Sequence, residues 1–144
     1  MKKREGRRYR INSKGFTLIE LLVVMVILAM LAALVGPRLF SNVEKGQQSA
    51  AKTQIEMLGQ GLDSFRLDIG RYPTTSEGLK ALDADPGVSG WAGPYLKKPV
   101  PVDPWKNPYH YQSPGTHGDY DLSSYGADNA LGGEGKNKDV NSWE

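Results

Sequence analysis

The 144-residue chain contains no cysteine, which excludes disulfide bonds and thiol chemistry. Its length suits one modest domain with attached segments. The net charge is only +2, but residues 1–15 hold seven Lys/Arg and one Glu, whereas the rest holds 11 Lys/Arg and 15 Asp/Glu. A basic N-terminal arm is one way to bind nucleic acid, but the hydrophobic segment that follows it argues against that use here.

Residues 16–35 are almost entirely apolar and contain a single charged side chain, Glu20. A helix of this length spans ~30 Å, the thickness of the hydrocarbon core of a bilayer. The basic residues before it predict a cytoplasmic N-terminus and a single membrane crossing. The alternatives are a plain membrane anchor and a secretory signal peptide, but the apolar run exceeds the ~7–15 residues of a signal peptide.

Glu20 is unusual because a carboxylate within a membrane span costs roughly 2.5 kcal/mol or more, even on lenient insertion scales. The span contains no Lys or Arg that could neutralise this carboxylate. Its partner must therefore come from another chain or from a terminus created by processing.

The stretch Lys14–Glu20, KGFTLIE, resembles the cleavage site of type IV prepilins and type II secretion pseudopilins. In that family a membrane peptidase cuts after the glycine and methylates the new terminal amine. The resemblance implies cleavage between Gly15 and Phe16 and N-methylation of Phe16. It also implies an assembly role for Glu20, which would pair with the Phe16 amine of a neighbouring subunit. Residues 1–15 would then be a cleaved leader.

Beyond the span, apolar residues recur at steps of three and four, which predicts that the helix continues with one buried stripe. Gly36-Pro37 lies between the two halves and should loosen the helix locally. Gly70 and Tyr72-Pro73 are stop signals, so the helix is predicted to have about 50 residues. The stripe consists of Ala51, Ile55, Leu58, Leu62, Phe65 and Ile69.

The remainder is predicted to form smaller elements. A capping box, Thr74-x-x-Glu77, predicts a short second helix near residues 75–84. Residues 85–108 are dense in Pro and Gly and are expected to form a loop pinned by aromatic side chains. Tyr109-x-Tyr111 and Tyr120-x-Leu122 alternate as strands do. The predicted fold is α+β, with a small antiparallel sheet packed on the second half of the long helix.

Residues 126–144 are rich in glycine and poor in apolar residues, so this tail is either disordered or held by something other than a core. It carries oxygen-bearing side chains of the kind that calcium prefers, although their spacing does not fit an EF-hand. These residues are Asp128, Asn129, Glu134, Asn137 and Asp139.

The body of the chain resembles the major pseudopilin family of type II secretion, general secretion pathway protein G. The matching stretches are RYPT and EGLxAL within residues 71–82, GPYL at 93–96, DPWxxPY at 103–109, YDL at 120–122 and GAD at 126–128. The resemblance implies a type IV pilin-like fold. Residues 16–36 would be a transmembrane and polymerisation helix, and residues 37–144 a periplasmic globular domain.

The resemblance also implies a calcium ion in the C-terminal loop. Asp128 and Asp139 match the aspartates of the family motif, and the carbonyls of Tyr125 and Ala130 are carried over as further ligands. Asn137 is an additional candidate ligand. The chain departs from the family in having lysine at position 106, where glycine is common, and lysines just before Asp139, where acidic residues are common.

The implied function is that of a structural subunit of the type II secretion pseudopilus in the bacterial inner membrane. The implied partners are copies of the chain itself as a homopolymer, the prepilin peptidase/N-methyltransferase, the minor pseudopilins and the inner-membrane platform, with no nucleic acid. A type IV pilin is the alternative, although such pilins typically carry a C-terminal disulfide. A membrane-tethered enzyme is disfavoured because His110 and His117 lie in no catalytic pattern.

Overall fold

The computed structural model describes residues 15–144, so the basic part of the predicted leader, residues 1–14, lies outside the described residues. The chain divides into two compact units that meet between Leu39 and Phe40. The larger, C-terminal unit contains a hydrophobic core of its own. A unit with its own core can fold without the segment that precedes it.

One helix, α1 (Leu18–Ile69), accounts for 52 residues and confirms the predicted length. The helix continues through Pro37, and α1 is long and apolar enough to cross a membrane, with a mean hydropathy of 3.0 over an 18-residue stretch. The large apolar side chains from Phe16 to Val35 are 47–88% exposed. An exposed apolar surface of this size needs apolar surroundings, which the N-terminal unit of the chain does not supply for itself.

The second half of α1 buries the predicted stripe. Its side chains from Ala51 to Phe65 are at most 4% exposed, and Ile69 packs against the same core. Burying one large aliphatic or aromatic side chain contributes roughly 1.5–3 kcal/mol, so this stripe is a major source of stability. The helix ends where Gly70 adopts a φ of 85° and its N–H donates to the Arg66 carbonyl at 2.7 Å.

The short second helix predicted near residues 75–84 is confirmed only in its second half, as a 3-10 helix of four residues. The capping box does form, because the Thr74 N–H donates to the Glu77 carboxylate at 2.7 Å and the Glu77 N–H donates to Thr74 Oγ1 at 3.2 Å. Gly78 then takes a φ of 63°, which interrupts the helix, and only the 3-10 helix Leu79–Leu82 follows. Two hydrogen bonds from the Arg71 guanidinium lower the pKa of Glu77 to about 2.

Three short strands form one antiparallel sheet in the order β1 (His110–Gln112), β2 (Asp121–Ser124) and β3 (Val140–Asn141). The two predicted strands are confirmed to within one or two residues at their ends, whereas β3 was not predicted. Tyr111 pairs with Leu122 across β1 and β2, and both side chains pack with the helical stripe. The sheet therefore covers the stripe, as expected.

The loop that precedes β1 is held by aromatic side chains, as predicted. Trp91 Nε1 donates to the Ala81 carbonyl at 2.8 Å, and the Tyr95 hydroxyl donates to Asp68 at 2.9 Å. The Tyr95 ring also packs edge-on against Phe65 of α1. In the same loop Lys106 has a φ of 70°, a left-handed conformation that strains a lysine but not a glycine.

Candidate functional site

The first candidate site is the start of α1. The Thr17 N–H donates to Glu20 Oε2 at 2.9 Å, and the Glu20 N–H donates to Thr17 Oγ1 at 3.2 Å. This reciprocal arrangement is a capping box, which satisfies backbone donors that a helix start leaves free. This capping box was not predicted from the sequence, although the Thr-x-x-Glu pattern of residues 17–20 is a signal for it.

Glu20 retains the capacity to bind a second group. The capping bond uses Oε2, and a carboxylate has about four acceptor positions. Glu20 is exposed, as is Phe16, and none of the ion pairs found within residues 15–144 includes it. The carboxylate can therefore hold the start of its own helix and still accept a hydrogen bond from a cation of another chain.

The second candidate site is the loop that joins β2 to β3. Two 3-10 turns, Gly126–Asp128 and Gly135–Asn137, contact each other within it. A Cβ added at Gly126 or Gly133 would lie only 2.7–2.9 Å from its nearest atoms of Asn137. Because only glycine permits that approach, the loop folds tightly around Asn137 without an apolar core of its own.

The two predicted aspartate ligands both lie in this loop. Asp128 is exposed, and its Oδ1 accepts a hydrogen bond from the Ala130 N–H at 3.2 Å. Asp139 Oδ2 accepts one from the Gly132 N–H at 2.8 Å. The other oxygen of Asp139, Oδ1, is buried and has no hydrogen-bond partner among the described residues. An unsatisfied buried acceptor costs roughly 1–3 kcal/mol, so a group that binds this oxygen, such as a cation, would stabilise the loop.

The donor set of the loop fits a hard cation. Residues 15–144 contain no group of three or more Asp, Glu or His side chains placed to hold a metal, so a bound ion would depend on backbone carbonyls beside the two aspartates. Tyr125 and Ala130 flank the turn that carries Asp128, and Asn137 lies two residues before Asp139. A mixture of carboxylate and carbonyl oxygens is the ligand set that calcium accepts.

Two side chains outside the loop hold its backbone. Gln48 of α1 donates through Nε2 to the Gly135 carbonyl at 2.7 Å. Asn107 donates through Nδ2 to the Gly126 carbonyl at 2.9 Å. The loop is thus attached to the helix on one side and to the segment before β1 on the other.

Both histidines have packing partners. His110 stacks on Tyr125 with ring centroids 3.9 Å apart and shares a hydrogen bond with Asn129. His117 stacks on Trp143, also at 3.9 Å, and its Nδ1 lies 3.0 Å from an Asp121 oxygen. These contacts give each histidine a structural role in the strands and turns where the sequence analysis placed it.

Comparisons with known proteins agree with this architecture. Residues 38–143 match the family model for type II secretion system protein G, and residues 10–36 match the prokaryotic N-terminal methylation motif. The type II secretion system core protein G of Pseudomonas aeruginosa is 44% identical over 140 residues, which cover 94% of this chain and 98% of that protein. Its counterpart in Vibrio cholerae is 45% identical over 133 residues, with 90% of each chain covered.

A solved structure is also similar, the crystal structure of the major pseudopilin from the type 2 secretion system of enterohaemorrhagic Escherichia coli. The TM-score is 0.60 at 33% sequence identity, with 71% of this chain and 90% of that chain covered. A long apolar N-terminal helix followed by a small antiparallel sheet places this chain in the pilin-like class, which confirms the predicted fold class. Within that class, the chain belongs to the type II secretion system protein G family.

Proposed function

We propose that this chain is the structural, non-enzymatic subunit of a type II secretion pseudopilus. The subunit polymerises from the inner membrane, and growth of the homopolymer drives the export of folded proteins across the outer membrane. The observation that carries this proposal is the exposed apolar surface of α1 from Phe16 to Val35, in a chain of the protein G family. Lipid covers that surface in the single subunit, and neighbouring subunits cover it in the filament.

The charge distribution supports one membrane orientation. Residues 1–15 hold seven Lys/Arg, and basic residues are retained on the cytoplasmic side. The N-terminus is then cytoplasmic, residues 16–36 cross the inner membrane, and residues 37–144 form the periplasmic domain. The partners of the assembled subunit are the minor pseudopilins and the inner-membrane platform.

Processing should occur between Gly15 and Phe16. The match of residues 10–36 to the N-terminal methylation motif supports cleavage by the prepilin peptidase/N-methyltransferase at this bond. We expect mass spectrometry of the membrane-extracted protein to show N-methylated Phe16 as the first residue. Gly15→Ala should be milder than Gly15→Trp, because a subsite built for glycine excludes bulk first. An intact leader, or a start near Val35, would contradict this processing.

Calcium is proposed as the ion of the C-terminal loop. Asp128 and Asp139 would supply the charged ligands, with the carbonyls of Tyr125 and Ala130 and the side chain of Asn137 completing the set. The buried, unpartnered Asp139 oxygen supports this proposal. A calcium ion bound to both carboxylates would neutralise their charge and hold together a loop that has no apolar core of its own.

Deletion of the gene separates type II secretion from the alternative, a type IV pilin for adhesion, motility or DNA uptake. We expect exported enzymes to accumulate in the periplasm of the deletion strain and to return to the medium when a plasmid-borne copy is supplied. Surface pili and twitching motility should be unchanged. Normal secretion combined with lost pili would instead support the pilin function.

A further inference from the structure

A buried carboxylate outside the proposed metal loop is connected to it by hydrogen bonds. Asp103 is 2% exposed and takes part in none of the ion pairs found within residues 15–144. Its Oδ1 accepts the N–H groups of Trp105 at 3.0 Å and Asn107 at 2.7 Å. Its Oδ2 accepts the Ser124 hydroxyl at 2.6 Å. Asp103 therefore ties the segment before β1 to the last residue of β2, where the metal loop begins.

Ser124 transmits this constraint to the first residues of the loop. Because its hydroxyl donates to Asp103, its oxygen is free to accept, and it accepts the Gly126 N–H at 3.3 Å. The Gly126 N–H and the Tyr125 carbonyl belong to one planar peptide group and point in opposite directions. A bond that fixes the N–H therefore also fixes the direction of the Tyr125 carbonyl, one of the proposed ligands.

Asn107 holds the next peptide group. Its side-chain amide donates to the Gly126 carbonyl at 2.9 Å. Its own backbone is held by Asp103 twice, because Asn107 donates its N–H to the Asp103 carboxylate and accepts the Asp103 N–H at 2.8 Å. Both peptide groups that flank Gly126 are thus positioned from Asp103, at the start of the turn that ends at Asp128.

We infer that Asp103, acting through Ser124 and Asn107, is the positioning residue of the calcium loop and sets the metal affinity without touching the ion. This inference rests on the proposed calcium site. Hydrogen-bond partners that orient metal ligands typically account for about 10–100-fold in metal affinity. Loss of the Ser124 hydroxyl frees the peptide group between Tyr125 and Gly126 to rotate. Loss of the Asn107 side-chain amide frees the peptide group between Gly126 and Ala127.

The test measures calcium binding to the soluble fragment 38–144, which contains the whole hydrophobic core. Ser124→Ala is expected to raise the calcium Kd by about 10-fold or more in isothermal titration. Ser123→Ala is the matched control, because Ser123 is the adjacent buried serine of β2 and successive side chains of a strand point to opposite faces. Its Kd should equal that of the wild type. Asn107→Ala should weaken binding in the same direction and serves as the test if Ser124→Ala does not fold.

Melting temperatures in chelator separate positioning from general destabilisation. A merely structural role would lower the Tm in calcium and in chelator alike and leave the Kd unchanged. Equal calcium affinity of Ser124→Ala, Asn107→Ala, Ser123→Ala and the wild type would overturn the inference, whatever the Tm of each variant in chelator. Wild-type fragment that binds no calcium would remove the metal site and this inference together, whereas wild-type binding with unchanged variants would remove the inference alone.

Discussion

Replacing Glu20 with valine is expected to abolish filament formation while the protein is still inserted and processed. The substitution removes a carboxylate from the membrane span, which should favour insertion by roughly 2.5 kcal/mol or more. It also removes the partner of the Phe16 amine in the neighbouring subunit, and with it the contact that sets the axial stagger between subunits. Chemical cross-linking of cells followed by immunoblotting should show monomers where the wild type gives a ladder.

The capping box at the start of α1 provides the control for this prediction. Glu20→Val also removes the bond from the Thr17 N–H, so a weaker helix start must be distinguished from a lost intersubunit contact. Thr17→Val removes the other half of the capping box, worth about 1 kcal/mol, and keeps the carboxylate. We expect Thr17→Val to retain the ladder. A normal ladder from Glu20→Val would refute the assembly role of this residue.

Calcium should raise the melting temperature of the soluble fragment 38–144 relative to chelator. An ion that binds only the folded loop adds about 2.7 kcal/mol to the free energy of unfolding at a concentration 100 times Kd. For a domain of this size, that corresponds to a rise in Tm of about 10 °C. Asp128→Ala and Asp139→Ala should each remove most of the rise, because each deletes one of the two charged ligands. Calorimetry or circular dichroism measures the change.

Two further measurements on the loop test whether the effect of calcium depends on the proposed ligands. Glu134 is an exposed acidic residue of the same loop that is not a proposed ligand, so Glu134→Ala should keep the calcium effect. In chelator, Asp139→Ala should change the Tm little. The lost bond to the Gly132 N–H is offset by removal of the buried, unpartnered oxygen.

Magnesium should substitute poorly for calcium in this loop, because magnesium requires a tight octahedron of ligands. Identical melting curves in calcium and in chelator would remove the metal site.

The prediction from sequence patterns failed in part at one element, the short helix near residues 75–84, because of a single residue within it. Thr74 and Glu77 do form the predicted capping box, but the positive φ of Gly78 interrupts the chain there, so only the 3-10 helix Leu79–Leu82 follows. The capping pattern describes how a helix can begin and carries no information on how far it continues. The same kind of pattern at Thr17 and Glu20 does precede a long helix, because no glycine with a positive φ follows it before Gly70.

The sequence by itself determined the features of this protein that depend on neighbours along the chain. The apolar run from Leu21 to Val35 requires a membrane or another subunit, and the three-and-four spacing from Ala51 to Phe65 defines the buried face of α1. Both follow from the 3.6-residue period and 1.5 Å rise of a helix, which distant contacts do not alter. The family motifs identified the chain for the same reason, since they too are local strings of residues.

Only the tertiary structure decided how the glycine-rich tail is held. Val140 pairs with Ser124 to form β3, and Gln48 reaches the Gly135 carbonyl across 87 positions of sequence. Asp103 is linked to Ser124 across 21 positions, and one buried oxygen of Asp139 has no donor among residues 15–144. Such pairings depend on which surfaces meet when the sheet closes over α1. A short-range pattern of residue types does not encode them, because many acidic and amide side chains along the chain have the same chemistry before folding brings a few of them together.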